Sequence, residues 1–259
     1  MIDTMVTSGE TKWNVPHGLV LLLPHGYEGN GPEHSSARLE RFLTLTDSPD
    51  EPPTEDVSER DTILNCNFVV ANCTTAAQYF HLLRRQMRRT FRKPLVVMSP
   101  KSMLKQKSVC SSIDEFEQGK RFQRVLPDMN SNLVADDKVR KVIYCSGRVY
   151  YDLETAREKR GINDVAIVRV EQMSPFPFRA ITPSLKQYSN ATITWCQEEA
   201  KNAGGWAFVD PRFRNLTKEL DGEMADIEYA GRPFTASVST GYGSQHRQEL
   251  ENLINEALA

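Results

Sequence analysis

The chain has 259 residues, 39% of them hydrophobic and 25% charged, with a formal net charge of −2. It is long enough to bury a real core in one large domain or two small ones, and its near-neutral balance gives no long-range pull toward nucleic acid or an anionic membrane. No stretch approaches the roughly 20 apolar residues of a membrane span, and the opening MIDTMVTSGETKW has neither the order of a secretory signal nor the arginine bias of a transit peptide.

In chain order, short apolar runs alternate with helical patterns. GLVLLLP (18–24), CNFVVANC (66–73), PLVVMSP (94–100), RKVIYCSG (140–147), VAIVRVE (165–171) and ATITWCQEE (191–199) are short and rich in Val, Ile or Leu, and read as strands buried on both faces. Between them HSSARLERFLTL, TTAAQYFHLLRRQMRRTF, VYYDLETAREKRG and DPRFRNLTKELDG carry apolar residues at helical spacing. The alternation predicts an α/β protein with mostly parallel sheets and flanking helices. The acidic, proline-rich TDSPDEPPTEDVSERD (46–61) reads as a mobile surface insertion. The stretch 105–138 lacks a clear apolar run, so the division falls there: one unit over 1–105, a linker over 106–138 and a second unit over 139–259. The first unit looks incomplete, and further sequence is expected before Met1.

The five cysteines, Cys66, Cys73, Cys110, Cys145 and Cys196, form no CxxC pair, and three of the runs that hold them are apolar. Reduced structural thiols in a reducing compartment are expected, not a zinc site.

The strand over 18–24 runs into PHGYEGNGPEHSS. In open α/β sheets ligands collect where strands end. Gly26, Gly29 and Gly31 allow sharp turns and close approach, but their spacing is not the dinucleotide fingerprint, so no NAD is inferred. Ser35 or Ser36 is expected to cap the helix ARLERFL and place its N-terminus beside His34, an anion site in outline, with Arg38 one turn in. His34 can serve there as donor or acid, and His25 and Glu28 lie in the same loop. The bland reading is a turn with a capping residue. His17 and His81 read as structural.

In YFHLLRRQMRRTFRK (79–93), Arg84, Arg85, Arg88, Arg89, Arg92 and Lys93 form a basic face. It reads either as a polyanion clamp or, preferably, as a solvated face paired with the acidic insertion, with Phe80, Leu83 and Met87 left for the core. No aromatic stacking platform accompanies it, so nucleic acid is not expected. SGRVYYDLETARE sets an amide-rich turn between strand and helix, and RVEQMSPFPF a rigid turn with packed aromatics. Glu198 and Glu199 are adjacent on an extended chain and point to opposite sides, so a partner-facing or helix-capping role is expected of them rather than a two-carboxylate site.

These stretches, with RKPLVVMSPKSML, WCQEEAKNAGGWAFV and YAGRPFTASVSTGYGSQH, closely resemble the C-terminal part of the thiamine-diphosphate-dependent component of 2-oxoglutarate dehydrogenase complexes, from about residue 2 to the end. The resemblance implies the later part of a transketolase-like pyrimidine-binding domain followed by the transketolase C-terminal-like domain. It further implies oxidative decarboxylation of 2-oxoglutarate in the tricarboxylic acid cycle, with the succinyl group passed to a lipoyl-lysine. The implied partners are dihydrolipoyl succinyltransferase, dihydrolipoyl dehydrogenase and a second copy of the chain. Thiamine diphosphate and Mg2+ are the implied cofactors, with their main ligands upstream of this chain, so that the chain alone is expected to be inactive. By position in the block, His34 is the implied catalytic and substrate-facing residue. His25, Ser35 and Arg38 are read from the loop chemistry as substrate neighbours, and Glu28 as a cofactor neighbour. The length of the acidic insertion resembles mitochondrial members, which places the expected location in the matrix, with the bacterial cytoplasm as alternative. A non-catalytic assembly or effector-binding module, and a sister enzyme for 2-oxoadipate, are the competing readings.

Overall fold

A computed structural model describes residues 1–259. The strands are β1 (Val20–Leu23), β2 (Val69–Ala71), β3 (Leu95–Met98), β4 (Val125–Leu126), β5 (Lys141–Cys145), β6 (Val165–Val170), β7 (Gln172–Ser174), β8 (Thr192–Ala200) and β9 (Ile227–Arg232). The helices are α1 (Gly9–Trp13), α2 (Leu39–Leu45), α3 (Glu59–Leu64), α4 (Ala76–Arg88), α5 (Val149–Arg160), α6 (Phe178–Gln187), α7 (Trp206–Asp221) and α8 (Gly243–Leu258). They build a four-stranded sheet in the order β1-β3-β2-β7 and a five-stranded sheet in the order β4-β6-β5-β8-β9. All pairings are parallel except β2 with β7 and β4 with β6.

All six predicted strands form, because an uninterrupted Val/Ile-rich run is what a strand buried on both faces needs; every residue of β3, β5 and β6 is buried. Strands β4, β7 and β9 escape the sequence reading. The first two are only two and three residues long, and IEYAGR is a half-exposed edge strand without an apolar run. One predicted strand is less buried than expected: β1 lies at the edge of its sheet and leaves Leu22 51% exposed.

Only Glu171 separates β6 from β7, so a single stretch of chain leaves the second sheet and enters the first. Glu171 is fully buried at this crossing and accepts from the Thr74 amide (2.8 Å) and hydroxyl (2.5 Å). One core joins the sheets: Phe42, Val70 and Met98 from the first half pack in the same cluster as Tyr144, Trp195 and Phe213 from the second. The SPFPF turn contributes as expected, with Phe176 and Phe178 buried edge to face at 4.9 Å. Of the cysteines, Cys110 is exposed and the other four are buried and free.

The acidic insertion lies on the surface, as expected, and is hydrogen-bonded to the second unit. Arg212 donates to the Ser48 carbonyl (2.6 Å), Asn215 to Asp50 (2.9 Å) and Arg179 to Thr54 and Glu55 (2.8 and 3.0 Å), so the segment is strapped across α6 and α7 by donors of the second unit. Helix α4 faces differently from its predicted orientation. Ala77, His81, Leu82 and Gln86 are buried, while Phe80 and Met87 are 44% and 72% exposed, because buried polar bonds from His81 to Glu115 and from Gln86 to Lys93 fix the inward face. Lys93 leaves the basic surface altogether and is buried against Glu10.

Candidate functional site

The glycine-rich loop after β1 lies between the carboxyl ends of β3 and β8 and is held from both sheets. His25, 2% exposed, contacts Glu199 Oε1 through Nε2 at 2.6 Å. Gly26 follows with φ +143°, and a Cβ there would lie 2.9 Å from Pro100 Cβ and 3.3 Å from Glu198 Oε1, so only glycine lets the loop pass between these groups. The Gly26 amide donates to the His34 carbonyl (2.8 Å), closing the loop on itself.

Glu28 locks the far side. Its carboxylate accepts from the amides of Ser102 (2.7 Å) and Lys101 (3.0 Å), and His34 Nδ1 lies 3.3 Å away. Burial pushes the Glu28 carboxyl upward, but the donors of Ser102, His34 and Lys101 outweigh it and hold it below the usual carboxylate range. The His34 ring rests over Gly29, where a Cβ would come within 2.6 Å of it. Its Nε2 is 3.4 Å from the exposed Glu33 carboxylate, and its side chain is 27% exposed. His34 is thus the imidazole of this loop that solvent and a ligand can reach.

The other loop residues are placed differently. Ser35 is buried and donates to the Val238 carbonyl, pinning the loop to the segment before α8. Neither Ser35 nor Ser36 caps a helix. Helix α2 begins at Leu39 behind Arg38, which is in the left-handed conformation with φ 60° and caps nothing. The anion site expected at that helix start does not form, because the Ser35 hydroxyl is taken by Val238 and the chain turns before the helix begins. Arg38 pairs with Glu40 at 2.5 Å, half exposed, and Glu40 in turn accepts from the Gly204 amide (3.0 Å).

The glutamate pair reverses its expected role. Glu198 and Glu199 are 3% and 5% exposed, and both face the loop. The register of β8 against β9 shifts between Cys196 and Ala200, which breaks the regular alternation of side chains. Burial, then the neighbouring Glu199 charge, pushes the Glu198 carboxyl up to about 7, with His25 and Arg148 opposing. His25 is itself raised: burial works against its charged form, but the Glu199 hydrogen bond and the charges of Glu199, Glu198 and Glu40 prevail. An imidazole and two carboxyl groups sealed from water therefore meet between the sheets.

Gln197 builds this arrangement, and nothing in the sequence singles it out. Its Oε1 accepts from Trp195 Nε1 (3.0 Å) and from the amides of Gly205 and Trp206 (both 2.9 Å). Its Nε2 donates to the carbonyls of Ala200 (2.9 Å) and Ala203 (2.8 Å). It thereby fixes the turn that presents the two glutamates. Arg232 completes the cluster, donating to the Glu198 carbonyl (2.7 Å) and to Glu249 (2.7 Å).

A second concavity lies beside α4. Arg84, Arg85 and Arg88 of α4 with Arg121 and Arg124 line a groove of about 470 Å³. Arg124 pairs with Glu59 of α3, whereas the expected pairing of the α4 arginines with the acidic insertion does not form.

Two mostly parallel sheets flanked by helices and joined through a common core match a transketolase-like α/β fold. Residues 1–107 match the transketolase pyrimidine binding domain, and residues 110–258 match the 2-oxoglutarate dehydrogenase C-terminal family. The chain is 46% identical over 265 aligned positions, covering 100% of its own length, to proteins named 2-oxoglutarate dehydrogenase E1 component from Brucella anthropi, Brucella abortus and Brucella ovis. It spans 25% of the length of these relatives. The chain belongs to the 2-oxoglutarate dehydrogenase E1 family, as its sequence blocks predict. A non-catalytic module and a 2-oxoadipate enzyme are not favoured by these matches.

The family implies thiamine diphosphate. The side chains of this chain do not fit its metal: no group of three or more His, Cys, Asp or Glu is placed to hold a cation, and the Glu28 carboxylate is satisfied by the chain's own amides.

Proposed function

We propose that this chain forms the substrate-facing wall of a thiamine-diphosphate-dependent 2-oxoglutarate dehydrogenase, with the cofactor's metal and diphosphate held by sequence outside it. The reaction of the whole enzyme is oxidative decarboxylation of 2-oxoglutarate, and its succinyl group passes to a lipoyl-lysine of dihydrolipoyl succinyltransferase, with dihydrolipoyl dehydrogenase downstream. Mg2+ accompanies the cofactor, and the working unit is a homodimer. Residues 1–105 close the pyrimidine-binding domain, 106–138 link, and 139–259 form the C-terminal domain. The location is the mitochondrial matrix or, in keeping with the bacterial relatives, a bacterial cytoplasm.

The observation that carries the reading is the one accessible imidazole on a loop locked from both sheets. His34 meets the substrate as donor or acid. Glu28 orients its ring, and the buried His25–Glu199 contact is a positioning device that holds the loop without touching substrate. The rigid support matters because a misplacement of about 1 Å in a catalytic group can cost on the order of 100-fold in rate.

In the full-length enzyme, His34→Ala is expected to lower turnover of 2-oxoglutarate by about 10²–10⁴-fold, the usual worth of a positioned acid or base, while calorimetric affinity for thiamine diphosphate stays unchanged. Unaltered steady-state kinetics would remove His34 from the site.

A further inference from the structure

The segment Pro233–Tyr242 leaves β9, doubles back over the glycine loop and enters α8. It is rich in hydroxyls, with Thr235, Ser237, Ser239 and Thr240. Together with Tyr27, Arg232, Gln245 and Glu249 it encloses a cavity of about 250 Å³.

Two polar groups on the cavity's wall are buried and unpartnered. Arg232 is only 2% exposed, yet its Nη2 has no acceptor, although Nε and Nη1 are both engaged. Thr240 Oγ1 is the second. Folded proteins rarely leave such donors unmet without a ligand or water in view. The third feature is the start of α8 itself. This helix has 16 residues, its N-cap, Tyr242, provides no side-chain acceptor, and residues on either side of its start, Thr240 and Gln245, line the cavity.

Charges of both signs surround the cavity. Glu249, the one carboxylate on the wall, is engaged by Arg232 and by Gln245 Nε2 (2.8 Å). On the α8 side, burial and the charges of Arg232, Arg148 and Arg247 depress the His246 imidazole against Glu249; on the glycine-loop side, burial and the charges of Glu199, Glu198 and Glu40 raise the Tyr27 hydroxyl against Arg232.

We infer that this cavity is a binding site for a small phosphate-bearing ligand, with Arg232, Thr240 and the first amides of α8 as its donors. Donors converging from a guanidinium, a hydroxyl and a helix end suit a tetrahedral oxyanion better than a planar carboxylate. The volume admits a phosphate with a short carbon body. The same segment is bonded to the glycine loop through a reciprocal Asn30–Gly241 pair (both bonds 2.9 Å) and through Ser35. An occupant therefore braces the loop that carries His34.

The test uses the full-length protein with thiamine diphosphate and Mg2+ at saturation throughout, so that the cofactor's own phosphate site stays filled. Inorganic phosphate is titrated against sodium chloride at constant ionic strength, with thermal midpoint and calorimetric heat as readouts, and acetate is titrated in parallel. The expected result is a saturable, phosphate-specific rise in midpoint. Thr240→Val should weaken phosphate binding about tenfold while leaving the midpoint without phosphate unchanged. Arg232→Met should abolish binding, but it also removes two structural bonds, so Thr240→Val carries the decision. No saturable phosphate signal, an equal response to acetate, or an undiminished response in Thr240→Val would each overturn the assignment.

Discussion

Gln197→Leu tests whether one neutral side chain holds the candidate site together. The replacement is similar in volume, so little cavity is created and the loss is one of hydrogen bonds. Five bonds disappear. Ala200 keeps another donor, the Ala203 amide at 2.9 Å, and the two groups nearer the surface, the Trp206 amide and the Ala203 carbonyl, can turn to water. Two buried donors, Trp195 Nε1–H and the Gly205 N–H, are left with nothing. At about 1–3 kcal/mol for each buried unsatisfied group, the expected destabilisation is about 3–6 kcal/mol once the part-buried groups add their smaller share. Against a total stability of about 5–15 kcal/mol this is a large fraction. Urea denaturation with linear extrapolation measures it. Gln197→Glu separates the two halves of the argument: it keeps the acceptor for three N–H groups, loses both donors, and sets a third carboxylate beside Glu198 and Glu199, so it should be more damaging at pH 8 than at pH 5. A loss under about 1 kcal/mol for Gln197→Leu would refute the hub, since it would mean that the freed donors find other partners at no cost.

Three further outcomes follow from the same geometry. The protonated form of His25 contributes stability that is complete below its unfolded pKa of about 6.5 and is lost as pH rises through its higher folded value. Glu198, raised to about 7, acts in the same direction, because the native state binds its proton more tightly than the unfolded chain does. Wild-type stability should therefore fall with rising pH from mildly acidic to mildly basic, and Glu199→Gln should flatten that slope; equal slopes by urea titration across the range would refute the coupling. Gly26→Ala forces a Cβ at φ +143° to within 2.9 Å of Pro100 and should cost about 1–3 kcal/mol, measured by the same denaturation. A thiol reagent under native conditions should label Cys110 alone and reach the other four cysteines only on unfolding, read by mass spectrometry.

The sequence by itself determined the α/β class, because runs such as VAIVRV are too short for most helices and too apolar for a solvent face, and β3, β5 and β6 are accordingly buried throughout. It also determined the family, because the blocks that carry the resemblance are long and ordered, and it pointed to the loop after β1, because glycines and histidines at a strand end mark a ligand-facing turn. What it left open depends on contacts between residues far apart in the chain. Alternation along a strand places Glu198 and Glu199 on opposite sides, and only the register shift in β8 and the Gln197 hub bring both to the loop. His25 reads as a substrate neighbour until its partner, 174 residues away, seals it. The Ser35 hydroxyl, a natural helix cap by type, is claimed by Val238, so the predicted anion site at the start of α2 is replaced by a latch between two loops. Periodicity reports which residues avoid water, whereas the partners of buried polar groups are fixed by tertiary packing.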